Sequence, residues 1–89
     1  MSHTIEFSRR AERDFRNLPK SVQLKLAPKI DSLANEPRPR GVKKLTGEEE
    51  LYRIRVGDYR VIYQVQDKAL LVLVIKIADR KEVYKRIGR

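Results

Sequence analysis

The chain has 89 residues, with 21 Lys and Arg against 12 Asp and Glu, a formal charge of +9, one histidine and no cysteine. That length holds a single domain over residues 1–89 with one modest core, and the composition excludes disulfides, thiolate chemistry and a zinc site of the Cys/His type. Residues 37–89 carry 14 basic and 7 acidic side chains against 7 and 5 in residues 1–36, so the second half favours an anionic partner: a polyanion, an acidic protein or an anionic surface.

Thr4-Ile-Glu-Phe-Ser8 alternates and predicts a short first strand. From Ser8, a suitable N-cap, Ala11, Phe15 and Leu18 fall at helical spacing and predict a helix to about Asn17. Leu18-Pro19 reads as a corner, with Pro19 at the first position of a second helix, where its missing N–H costs little. Val22, Leu26, Ile30 and Leu33 form one apolar stripe to about Asn35, giving an antiparallel helical hairpin over a sheet. Pro28 removes the bond to the Leu24 carbonyl, at a cost of about 3 kcal/mol, and predicts a kink or break between Leu24 and Pro28.

Glu36-Pro-Arg-Pro-Arg-Gly41 cannot continue a helix and is expected as an exposed connection, followed by an extended segment or short turn at Val42–Leu45. Leu51–Val65 then reads as two strands around Gly57-Asp58, a Gly-X pair suited to a tight hairpin turn. Ala69–Ala78 is almost continuously apolar and predicts a strand in the middle of the sheet, buried on both faces. Its apolar core, Ala69–Ile75, is too short to span a bilayer, and Arg9, Arg10 and Arg13 are not followed by the apolar stretch of a signal peptide. A reducing cytoplasm is the expected setting, with no membrane. The basic tail from Asp79 to Arg89 places Val83 and Ile87 at i and i+4 and suits a short helix that docks reversibly. The expected class is α+β: an N-terminal strand, a helical hairpin, a three-stranded antiparallel meander, and a short C-terminal tail or helix (β-α-α-β-β-β).

Alternation across the hairpin turns Tyr52, Ile54, Val56, Tyr59, Val61, Tyr63 and Val65 to one face. Arg53, Arg55 and Arg60 share the other, and the three tyrosines of the first face are expected to pack in the core. Guanidinium groups stay charged and fork toward phosphate oxygens, so such a cluster suits the extra charge of a pentacoordinate phosphorus transition state. Arg80 and Tyr84 follow the last strand and extend the candidate site. Tyrosine is a poor base at its usual pKa of about 10, and neighbouring cations would lower that value. The alternatives are a merely solvated strand face and a packing tyrosine. His3 stands alone near the terminus, and Asp58, Asp67 and Asp79 show no ligand spacing, so no metal or other cofactor is expected.

Over its full length the chain resembles the RelE/ParE toxin superfamily, more particularly its RelE-like branch. The likeness is carried by Leu51-Tyr-Arg-Ile-Arg-Val-Gly-Asp-Tyr-Arg-Val-Ile-Tyr63, by Ala78-Asp-Arg-Lys-Glu-Val-Tyr84 and by the element order. It implies a small cytoplasmic toxin that enters the ribosomal A site and cleaves mRNA without a metal, by attack of a ribose 2′-hydroxyl on its adjacent phosphate. A 2′,3′-cyclic phosphate and a 5′-hydroxyl would result. On that likeness Tyr84 is the general base, Arg60 and Arg80 stabilise the phosphorane, and Arg53 or Arg55 assists the leaving group. Lys43, Lys44, Lys81, Lys85 and Arg86 are the expected RNA and ribosome contacts. The implied partner is a cognate antitoxin with an acidic amphipathic segment, able to build a higher-order toxin–antitoxin complex.

The chain departs from the pattern in two places. Arg53 and Arg55 stand where the most active relatives carry lysines; arginine keeps the charge but, with a pKa above about 12, does not readily exchange a proton. Asp79 stands where many relatives have histidine, and is an acceptor suited to holding Arg80. Two other functions fit the same outline: a ParE-like, non-enzymatic inhibitor of DNA gyrase, and a non-catalytic RNA-binding module. Val56–Tyr63 partly resembles the aromatic strand of RNA-recognition sheets, but those domains run βαββαβ.

Overall fold

The computed structural model describes residues 2–45 and 50–79. Their elements are β1 (Thr4–Phe7), α1 (Arg9–Arg16), α2 (Lys20–Ser32), β2 (Lys43–Lys44), β3 (Leu51–Val56), β4 (Tyr59–Gln66) and β5 (Leu71–Asp79). The α+β class and the order read from the sequence hold, with β2 as one strand more, so that four consecutive strands pair antiparallel. The tail helix expected around Val83 and Ile87, together with Arg80, Lys81, Tyr84, Lys85 and Arg86, lies outside the described residues.

Ser8 caps α1 as its sequence position indicates, its Oγ accepting the Ala11 N–H at 3.1 Å. The chain then turns between helices, and Gln23 holds that corner by donating to the carbonyls of Phe15 at 3.0 Å and Leu18 at 3.1 Å. Pro19 corrects the sequence reading by one position. Its ψ of 148° is extended, so it is the N-cap and Lys20 begins α2.

Of the kink or break expected between Leu24 and Pro28, the break is absent, because α2 runs unbroken from Lys20 to Ser32. Leu24 and Pro28 both lie on the exposed face, where water can take the freed carbonyl, while Leu26, Ile30 and Leu33 are buried on the other. Burying each of those three side chains is worth about 1.5–3 kcal/mol, which together outweighs the local proline cost of about 3 kcal/mol.

The five strands lie in the order β1-β5-β4-β3-β2. β1 runs parallel to β5, at one edge of the sheet. Ala11, Leu26, Ile30 and Leu33 pack on the inward sheet face formed by Tyr52, Val61, Tyr63, Val65, Val72, Val74 and Ile77. β5 is interior, as its apolar run implies, but two details differ from the sequence reading. It starts at Leu71, because Asp67–Leu70 forms a turn closed by the Leu70 N–H on the Asp67 carbonyl at 3.1 Å, with Leu70 at φ 51°. Its faces are also unequal: Val72 and Val74 are fully buried, whereas Leu71, Leu73 and Ile75 are partly exposed. Among the described residues no helix is long and apolar enough to cross a membrane.

Candidate functional site

The site is built on the hairpin of β3 and β4. Gly57 takes φ 61° while Asp58 keeps a negative φ, the pattern of a type II′ turn that matches the twist of the flanking strands. With Val56 opposite Tyr59, the next pair outward is Arg55 opposite Arg60, and Arg53 faces Ile62. All three arginines therefore stand on the sheet face turned away from the helices. Arg55 and Arg60 form a non-hydrogen-bonded pair, the closer kind, with Cα atoms about 4.5 Å apart. Among the described residues none of the three has a carboxylate within ion-pairing distance. Like charges directly opposed destabilise a sheet by about 0.2–1 kcal/mol, so the hairpin holds a charge arrangement that works against its own stability.

Lys43 pairs with Arg53 across β2 and β3 and so joins the same face. A turn closed by the Val42 N–H on the Pro39 carbonyl at 3.1 Å, with Gly41 at φ 88°, brings the preceding loop alongside. Between them lies a groove of about 420 Å³ lined by Arg40, Gly41, Val42, Lys43, Arg53, Ile54 and Arg55. Four of these seven residues are cations, and the groove is open to solvent along the sheet edge. Lys44 alternates to the other face opposite Tyr52, where its Nζ lies 2.9 Å from Glu50. The two lysines, grouped together as RNA contacts by their sequence position, thus separate.

Sequence reading missed two cations. Arg40 belongs to the groove although its Pro-rich segment gives no periodic signal. Lys76 faces Ile62 and hence the arginine side. Simple alternation from Val72 and Val74 would have put Lys76 in the core; a bulge at Ile75, where the pairing jumps from Tyr63–Val74 to Ile62–Lys76, reverses that phase.

The tyrosines of the inward face pack as expected. Tyr52 and Tyr63 stack with centroids 5.9 Å apart, and the Tyr63 hydroxyl donates to the Pro37 carbonyl at 2.7 Å. Burial pushes the Tyr63 phenol well above its ordinary range. The Tyr52 hydroxyl accepts from Arg38 Nε at 2.8 Å and donates to Glu50 at 3.1 Å. Arg38 also bonds Glu50 at 3.0 Å and Asp67 at 2.8 Å, and Asp67 meets His3 Nε2 at 3.1 Å. The Lys44 and Arg38 contacts hold the Glu50 carboxyl below the usual carboxylate range, and Arg38 with His3 does the same for Asp67. This network ties down the loop before β2 and the β4–β5 turn. Its Asp67–His3 end lies just past β4, about 20 Å from Arg60 at 3.3 Å per residue, so His3 is remote from the Arg55–Arg60 pair. No group of three His, Cys, Asp or Glu side chains among the described residues is placed to hold a metal ion.

Comparison with known proteins agrees with this geometry. The family model described as the ParE toxin of the type II toxin–antitoxin system parDE matches residues 5–84. The mRNA interferase toxin RelE of Escherichia coli strain K12 is 33% identical over 88 residues, covering 94% of this chain and 92% of that protein. The crystal structure of the isolated E. coli RelE toxin superposes with a TM-score of 0.78 at 30% identity, covering 97% of this chain and 99% of that one. The archaeal RelE–RelB complex from Pyrococcus horikoshii gives a TM-score of 0.76 at 32% identity, over 90% of this chain and 97% of its match. The chain therefore belongs to the RelE/ParE superfamily of toxins from type II toxin–antitoxin systems.

Proposed function

We propose that this toxin is a RelE-type, metal-independent endoribonuclease that cuts mRNA in the ribosomal A site. The observation that carries the reading is the unopposed arginine face. Arg55 and Arg60 are held against each other with no carboxylate among the described residues to neutralise them, as a site for a doubly charged phosphorane requires. Arg60 and Arg80 stabilise that transition state. Arg53 and Arg55 stabilise charge on the departing 5′ oxygen without transferring a proton. The groove of Arg40 and Lys43 takes the neighbouring backbone phosphate, and Tyr84 is the base that removes the 2′-hydroxyl proton.

The name of the matching family model favours a second reading, in which the same face binds gyrase and cuts nothing. Tyr84 separates the two. Tyr84→Phe keeps the ring and removes the hydroxyl, and in the nuclease reading it lowers single-turnover cleavage by about 10²–10⁴ with ribosome binding retained. Wild-type cleavage in this variant would remove Tyr84 from the chemistry.

The solved RelE–RelB complex supports an antitoxin partner. On this chain Phe7 and Phe15 meet edge to face at 6.0 Å beside a groove of about 350 Å³ lined also by Glu12 and Arg16. That groove suits an apolar side chain of an amphipathic antitoxin segment, with the net charge of the toxin speeding encounter with an acidic one.

A further inference from the structure

The loop before β2 sends its two arginines to different sides of the sheet. The Arg38 guanidinium lies over the Tyr52 ring, its Cζ 5.2 Å from the centroid, and its Nε donates to the Tyr52 hydroxyl at 2.8 Å. Nη1 and Nη2 donate to the two Asp67 carboxylate oxygens at 3.4 and 2.8 Å, and Nη2 also donates to Glu50 at 3.0 Å. All three guanidinium nitrogens are therefore engaged. Two residues on, Arg40 lines the groove with Lys43, Arg53 and Arg55, and no carboxylate among the described residues lies within ion-pairing distance of it. Residues two apart in an extended chain share a side. Here the Pro39–Val42 turn intervenes, with Arg40 and Gly41 at its centre and Gly41 at φ 88°, where a type II turn needs a positive φ.

We infer that Arg38 is a positioning residue for the basic groove: it clamps the start of this turn to Tyr52, Glu50 and Asp67, and the turn then holds Arg40 over the groove, where Arg40 binds a phosphate. The turn is closed on itself, so its two ends set where Arg40 stands. After it comes β2, only two residues long and paired with β3. Before it, Arg38 is the last held residue. Two residues span at most about 7 Å, so a shift of Arg38 carries Arg40 with it. Pro37, held by Tyr63, lies one residue further back. The ion pairs of Arg38 are between partly exposed side chains, and pairs of that kind add little to stability. What the planar fork supplies is a fixed geometry. The identity of the anion as RNA rests on the nuclease reading; the placement of Arg40 by Arg38 does not.

The test uses a fluorescein-labelled single-stranded RNA as probe and measures its affinity for the full chain across salt concentration. Each phosphate that the protein ceases to neutralise makes the log–log slope shallower by about 0.7. Arg40→Gln is expected to flatten the slope by that amount. Arg38→Gln is expected to flatten it equally, and the two combined are expected to match Arg40→Gln alone. Lys44→Gln removes a charge from the same network, where Lys44 pairs with Glu50, and is expected to keep the wild-type slope. Hydrogen exchange at the Val42 amide, which closes the turn on Pro39, is expected to quicken in Arg38→Gln. Arg38→Lys, which keeps the charge without the planar fork, is expected to flatten the slope too and carries the comparison if Arg38→Gln does not fold. A purely structural role would lower stability without moving the slope. A wild-type slope in Arg40→Gln or in the folded Arg38 variant overturns the inference even if mRNA is cut on ribosomes. So does a double variant that flattens the slope by twice the single amount, because Arg38 would then contact RNA itself. The expected slopes in a protein that cuts no mRNA would instead overturn the nuclease reading and leave this one standing.

Discussion

Arg60→Gln is expected to make the protein more stable and less active. Its guanidinium stands directly opposite that of Arg55 with no carboxylate between them among the described residues, so removing one charge relieves a repulsion of about 0.2–1 kcal/mol. For a domain of this size, where 1 kcal/mol shifts Tm by about 4–8 °C, the gain is roughly 1–8 °C at low salt. It should fade toward 1 M salt, where the screening length falls to about 3 Å. Lys25→Gln, on the exposed face of α2, removes the same net charge without an opposed partner and separates local from overall repulsion. In single-turnover cleavage on ribosomes, Arg60→Gln should lose about 10²–10³, the usual cost of removing one donor to a developing charge. A destabilised Arg60→Gln would show that the folded state neutralises the pair, and a gain that persists in high salt would show that its source is not charge repulsion; either would refute the reasoning.

Tyr63→Phe removes the 2.7 Å bond to Pro37 and leaves a part-buried carbonyl open, so urea unfolding should show a loss of about 1–3 kcal/mol with cleavage unchanged. Glu50 and Asp67 are held below their ordinary range in the folded state, so they contribute stability above the unfolded carboxylate pKa of about 4, lost as pH falls through the folded values. The acid limb of a urea-midpoint profile should therefore flatten in Asp67→Asn. Lys43→Ala should weaken RNA binding because Lys43 lines the groove, whereas Lys44→Ala should leave it unchanged because Lys44 is engaged by Glu50 on the other face; equal effects in an affinity titration would contradict that separation.

The hairpin was legible because alternation is local: Arg53, Arg55 and Arg60 fall on the face their spacing assigns, and Gly57-Asp58 marks the turn. The apolar stripe of α2 was equally direct, and the helix does not break at Pro28 because the local cost is set against the burial of Leu26, Ile30 and Leu33. What could not be read depends on groups distant in sequence. The bulge at Ile75 is stabilised by Ser8 and Asp14, more than sixty residues away, and nothing in Leu71–Asp79 announces the phase change that relocates Lys76. Arg38 likewise gathers Glu50 and Tyr52 from the start of β3 and Asp67 from the β4–β5 turn. Lys43 and Lys44 look equivalent as neighbours, and only the register of β2 divides them.

The most direct measurement is the chemistry of the ends made when purified toxin is added to ribosomes programmed with a defined mRNA. Cuts inside the A-site codon that leave a 2′,3′-cyclic phosphate upstream and a 5′-hydroxyl downstream, unaffected by chelators and absent without ribosomes, are the expected result. Intact mRNA on toxin-bound ribosomes, or intact mRNA together with loss of supercoiling by DNA gyrase, would contradict the account.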